Sequence, residues 1–341
     1  MKPRVKAGAA ILLLLAAACS NRTAGAPPPQ SPTPEVAIQQ QAAPAGCPSG
    51  TAASDADQLT RALIATRPGT VIVLAANTYP GHFVATTSGT PDAPITLCGS
   101  RDSILDGGSI KTGYTLYLNG ASWWRLVGFS VQGGQKGVML DRSNHVLISG
   151  LYVHDVGDEG IHLRSFSSDN TIDGVTVHTT GLVNAKFGEG IYVGTANSNW
   201  CRYSGCKPDM SDRNVIENST ISGTSAENID IKEGTTGGQI IGNALSGDGI
   251  SPAGASSWVN VKGNDWTIVG NVGLHSPKDG FQVHRVYSGW GYRNSFHGNR
   301  AVVDGPGFGI YVQFSSLATV VGCDNVAVGA ARGLSNARCT P

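Results

Sequence analysis

The chain has 341 residues with 24 basic and 24 acidic side chains, and only 14% of its residues are charged. That balance excludes an ordinary nucleic-acid binder, which carries a basic surplus. The 46 glycines follow no Gly-X-Y period, which excludes a collagen-like rod.

Residues 1–6 hold three basic side chains, and "AGAAILLLLAAAC" follows. This apolar run is too short to span a bilayer and reads as an export signal. It ends at Cys19 after three alanines, which resembles a bacterial lipoprotein cleavage box, with Ala16 where leucine is usual. Either Cys19 carries a lipid anchor or ordinary signal cleavage frees the protein; both make it extracytoplasmic. Residues 20–46, with "APPPQSPTPE" and "QQQAAPAG", are too rich in Pro, Ala and Gln to build a core and read as a tether. The remaining 47–341 form one domain, expected to be monomeric.

Six cysteines follow Cys19, an even number in an exported chain. Proximity favours Cys201–Cys206 and Cys323–Cys339, which leaves Cys47 for Cys98. The stretch "SDADQLTRALIATRPG" (54–69) is the one helical segment, with Leu59, Leu63 and Ile64 expected on the face that caps the first coil.

From residue 69 onward, β-branched stretches alternate with Gly/Asn/Asp turns. Strands of the form x-Gly-Ile-x-Val-x begin at 159, 189, 227, 257, 279 and 308, spaced by 30, 38, 30, 22 and 29 residues. A second strand follows each, and Asn218, Asn243, Asn271 and Asn299 are expected to stack there as a buried column. The pattern predicts an all-β fold, a single-stranded parallel β-helix with a short N-terminal capping helix.

Alternate side chains of a strand face opposite ways, and parallel neighbours stack about 4.8 Å apart. Three outward columns result. One runs His162, Tyr192, Asp230, Asn260, Gln282, Tyr311; another runs Arg164, Gly194, Lys232, Lys262, His284, Gln313; the last holds Glu159, Glu189, Glu227, Ser257, Asp279 and Phe308. A strip this rich in acids, bases, histidines and tyrosines reads as a groove. The insertion after the 189 rung adds Trp200, and "RVYSGWGYR" adds Arg285 and Trp290. Guanidinium and aromatic groups suit a polyhydroxylated anionic ligand. Arg164, Tyr192, Asn260, Gln282, Tyr311, Trp200, Arg285 and Trp290 are therefore the expected substrate contacts. "HSPKDGFQVH" (275–284) is a second stretch for the groove, or a turn cap.

"TVIVLAANTYPG", "APITLCG" and "ILDGG" resemble the opening of the pectin-lyase-like right-handed β-helix proteins. "ENIDIKEG" at 227 is similar to the catalytic rung of the chondroitinase B and alginate lyase type. The resemblance implies a polysaccharide lyase with Glu227 on calcium and Lys232 as the base. It departs from the family at Lys262, where an arginine is usual, and at Tyr192 and Gly194, where a calcium-binding asparagine would stand.

β-Elimination from a uronic acid needs its carboxylate neutralised, a base for the C5 proton and an acid for the leaving oxygen. Lys232, Lys262, His162 and His284 are the catalytic candidates. Ca²⁺ is the expected cofactor, on Glu189, Glu227 and Asp230, because calcium accepts mixed carboxylate oxygens. A lysine base must fall from about 10.4 towards neutrality; Lys262 and a cation push Lys232 that way, and Asp230 and Glu233 oppose it. A C5-epimerase, a glycoside hydrolase using Asp230, Glu227 and Glu189, and a non-catalytic glycan-binding solenoid remain open on these residues.

Overall fold

The computed structural model describes residues 47–341; the export signal, Cys19 and the 20–46 tether lie outside the described residues. The chain winds into three parallel sheets of eleven, nine and ten strands among the described residues. Each regular coil places one short strand in each sheet, as Leu147–Ser149, Tyr152–His154 and Ile161–Arg164 do. Inward side chains stack like on like: Ile161, Ile191, Ile229 and Val259 form one fully buried file. The interior is thus a continuous apolar column closed only by its neighbours in the stack, as a solenoid requires.

The sharp corner between the first two strands of a coil needs a left-handed residue. Gly150, Gly174, Gly242, Gly270 and Gly298 occupy it with φ between 59° and 65°. Asn218 takes the same corner at φ 51°, a conformation Asn tolerates better than most residues. This corrects the sequence expectation: Asn218 is exposed, and its amide donates to Asp173 at 2.9 Å. The buried ladder runs one position later, through Ser219, Asn243, Asn271, Asn299 and Asn325. Each carboxamide oxygen accepts the backbone N–H of the preceding member at 2.9–3.0 Å.

Helix α1 (Ala56–Ile64) starts at Asp55, whose carboxylate accepts the Gln58 N–H at 2.7 Å. It packs Leu59 and Leu63 into the core. Ile64, expected on that face, is 78% exposed, because it lies about 100° further round than its neighbour at position 63. Cys47–Cys98, Cys201–Cys206 and Cys323–Cys339 are disulfides, which suits a compartment outside the cytoplasm.

Candidate active site

The nine-stranded sheet carries the site. Its register pairs His162 with Tyr192, Tyr192 with Asp230, Asp230 with Asn260, Asn260 with Gln282 and Gln282 with Tyr311. The neighbouring column follows from backbone bonds, in which the Lys232 N–H reaches Val193, the Lys262 N–H reaches Ile231 and the His284 N–H reaches Val261. These faces point away from the coil interior, yet His162, Arg164, Tyr192, Asp230, Asn260, Lys262 and Gln282 are buried. They pack on one another along the strip and beneath the loops that leave each rung.

The column begins earlier than expected. Lys136–Asp141 pairs with Ile161–Arg164, so Lys136 joins the glutamate column and Asp141 lies beside Arg164. Sequence reasoning missed both, although Gly137-Val138-Met139-Leu140 carries the same Gly-apolar-x-apolar pattern one coil upstream. Asp141 grips Arg164 with both oxygens, at 2.7 and 2.8 Å, and the pair holds the Asp141 carboxyl below its ordinary range in spite of burial. The Arg164 guanidinium lies 3.9 Å from the Tyr203 ring centroid, a cation–π contact that fixes the loop over the rung.

That loop is the long insertion after the 189 rung, containing α2 (Trp200–Tyr203). Buried Asp209 anchors it by accepting the Ser165 and Phe166 N–H groups at 2.8 Å and the Thr195 hydroxyl at 2.5 Å. Trp200 turns inward: its indole N–H donates to the Thr195 carbonyl at 2.9 Å and its ring meets Tyr287 edge-on. It supports the wall and is buried, contrary to the substrate contact expected from sequence.

Between this wall and residues 186–187 lies a cleft of about 610 Å³, lined among others by Tyr114, Lys136, Glu159, His162, Arg164, Glu189, Tyr192, Arg202, Tyr203 and Lys232. Of the expected residues, the cleft gathers His162, Arg164, Tyr192, Glu189 and Lys232. Lys262, His284, Asn260, Gln282, Tyr311, Arg285 and Trp290 lie outside its lining. Gln282 donates to Ser256 and Asp279, Arg285 sits over Phe314, and Tyr311 stacks on Phe308.

At the cleft's end, Lys232 Nζ is 2.6 Å from Asp230 Oδ2 and 4.8 Å from the Tyr192 ring centroid. Burial works against the Lys232 charge, but Asp230, Tyr192 and Glu189 hold the ammonium well above its ordinary pKa, opposite to the fall expected from the sequence. Gly194 makes room for it: a Cβ there would lie 2.7 Å from Thr235 Cγ2 and 3.2 Å from Lys232 Cβ. Burial pushes the Tyr192 hydroxyl up, so it keeps its proton. His162 donates Nε2–H to the Gly194 carbonyl at 3.0 Å; burial, then Lys136 and Arg164, push it far below its ordinary pKa, so the ring is neutral. His284 is lowered to about 4 by burial and Lys262, and binds Asn260 at 2.9 Å. Lys136 contacts Glu159, and burial lowers it to about 8.

Glu189, Glu227 and Asp230 place one oxygen each within 4.8 Å of one another, all buried. Burial and Asp230 push Glu189 up to about 8 and raise Glu227. Asp230 stays low because Lys232 and Lys262 overcome its burial. Both Asp230 oxygens are taken by those ammonium groups, and Glu227 Oε1 accepts from Asn260 at 2.9 Å. Glu189 Oε2 alone of the triad's oxygens is buried without a hydrogen-bond partner. The expected calcium does not fit this donor set, because a cation would meet ammonium groups at Asp230.

The family model described as the right handed beta helix region matches residues 114–276. A search of curated protein sequences returned no match. Among solved structures, an alginate lyase from Paenibacillus sp. str. FPU-7 is 37% identical, with a TM-score of 0.79 over 84% of this chain and 99% of its own. A pectate lyase is 18% identical, with a TM-score of 0.64 over 82% of this chain and 72% of its own. A periplasmic alginate epimerase is 12% identical, with a TM-score of 0.55 over 79% and 61%. The last two share the fold alone. Identity at that level along nearly the whole of the Paenibacillus lyase places this chain among the pectin-lyase-like, right-handed β-helix polysaccharide lyases.

Proposed function

We propose that this lyase cleaves alginate by β-elimination, with Lys232 as the base and Tyr192 as the acid. The observation that carries the reading is the meeting of these two side chains at the end of a cationic, tyrosine-walled cleft. The 37% identity to an enzyme named alginate lyase supports the choice of polymer.

Arg164 and, below about pH 8, Lys136 face the cleft as cations that would offset the uronate carboxylates and make the C5 proton more acidic. Lys232 takes that proton. The electron pair forms the C4=C5 double bond as the C4–O bond breaks, and the Tyr192 O–H protonates the leaving oxygen. Passing the proton from Lys232 back to the neighbouring tyrosinate restores both groups. Neutral His162 cannot add a competing positive charge, and it holds the Gly194 turn against which Lys232 packs. Because Asp230 keeps Lys232 protonated at rest, the free-base fraction grows with pH and the rate climbs above neutrality.

An acidic polysaccharide is the partner in this reading, and a lipid on Cys19 would hold the domain outside the cytoplasmic membrane as a tethered monomer. The test is ultraviolet absorbance of the unsaturated uronate on alginate, polygalacturonate, chondroitin/dermatan and glucuronan. A rise on alginate is expected. A rise only on another uronan overturns the substrate, and an altered epimer ratio without cleavage overturns the elimination.

A further inference from the structure

Three buried carboxylates within ligand reach of one another usually invite a cation. Here the positive charge is already built in. Asp230, whose side chain is 1% exposed, gives Oδ2 to Lys232 at 2.6 Å and Oδ1 to Lys262. Asn260 covers Glu227 at 2.9 Å, and His284 Nδ1–H holds the Asn260 carbonyl at 2.9 Å. The six groups interlock over three successive rungs, built on Ile229–Ile231, Val259–Val261 and Phe281–Val283. Calcium requires six to eight oxygen ligands, and each Asp230 oxygen already faces an ammonium group.

We propose that this lyase centre works without a metal, because the Lys262 ammonium occupies the place of the divalent cation. The inference rests on reading the Lys232 rung as the lyase centre. Lys262 lies outside the cleft lining, so it is a positioning residue. It clamps Asp230, and Asp230 in turn aims Lys232 at the cleft. Removing the Lys262 charge frees Oδ1 of Asp230, a residue within ligand reach of Glu227 and Glu189, and the carboxylate triad then has the composition of a calcium site.

The experiment is calorimetric titration of chelator-treated full-length protein with Ca²⁺, with terbium luminescence as a second probe. Wild type, Lys262→Met and Lys262→Arg are compared, and alginate cleavage is followed with and without chelator. Wild type should bind no Ca²⁺ and keep its activity in chelator. Lys262→Met should bind one Ca²⁺ and lose about tenfold in kcat, partly restored by Ca²⁺. Lys262→Arg should keep the charge, bind no Ca²⁺ and stay near wild type. Saturable Ca²⁺ binding by wild type that Glu189→Gln abolishes, or loss of wild-type activity in chelator, overturns the proposal. So does a folded Lys262→Met that binds none. If Lys262→Met fails to fold, the wild-type and Glu189→Gln titrations decide alone. Failure of every uronan to yield unsaturated product would strike the substrate reading and leave the calorimetric answer intact.

Discussion

The coil carries two buried polar files of opposite character. Inside the turn, Asn243, Asn271, Asn299 and Asn325 stack like on like, and each amide finds its partner one rung away. On the outward strip, unlike groups stack: histidine on tyrosine, tyrosine on aspartate, aspartate on asparagine. Buried side-chain atoms without a hydrogen-bond partner include His162 Nδ1 and Glu189 Oε2 on the strip and no member of the asparagine ladder. Repetition satisfies polar groups and builds structure; broken repetition leaves charge and free lone pairs where chemistry can use them.

Breaking the strip should cost more than breaking the ladder. Asp230→Ala leaves two ammonium groups buried without their shared carboxylate. It should lower the unfolding free energy by about 3–5 kcal/mol, measured by urea denaturation. Asn271→Ala orphans the Asn243 N–H and the Ile240 carbonyl it bonds. That should cost about 1–3 kcal/mol in the same assay, with alginate cleavage by the folded fraction unchanged. A loss for Asn271→Ala as large as for Asp230→Ala would erase the distinction.

The smallest effect concerns pH. Arg164 holds Asp141 below its ordinary range in the folded state, so the unfolded chain binds the proton more readily. Their pairing therefore stabilises the fold above the unfolded carboxylate pKa of about 3.9 and is lost as pH falls through the lower, folded value. The denaturation midpoint should drop in acid for wild type, and less steeply for Asp141→Asn. Equal slopes would mean that the pair does not couple to folding.

The register of the strip was legible because Gly-Ile-x-Val repeats with period two and a one-residue slip would expose every core side chain. That fixed His162, Tyr192 and Asp230 in one file and Arg164, Lys232 and Lys262 in another. Asn218 was misplaced because Gly-Asn and Asn-Ser look alike in sequence; only the left-handed φ of the corner separates a turn residue from a ladder residue. Lys136 and Asp141 were readable too, since Gly137-Val138-Met139-Leu140 repeats the alternation and Ser257 and Phe308 show that the column needs no acid. The burial of an outward face depends on which loops fold over it. So the inward turn of Trp200, and the lysines' capture of Asp230 in place of a cation, could not be read from spacing.

The most direct test of the account is the rate of unsaturated-product formation from alginate by wild type and Lys232→Ala, both shown to be folded by circular dichroism. The account predicts a fall in kcat of about 10³-fold or more with little change in KM, since Lys232 acts on the proton in flight. A Lys232→Ala enzyme that keeps its kcat and only binds alginate more weakly would contradict it, because Lys232 would then hold the substrate and some other residue would be the base.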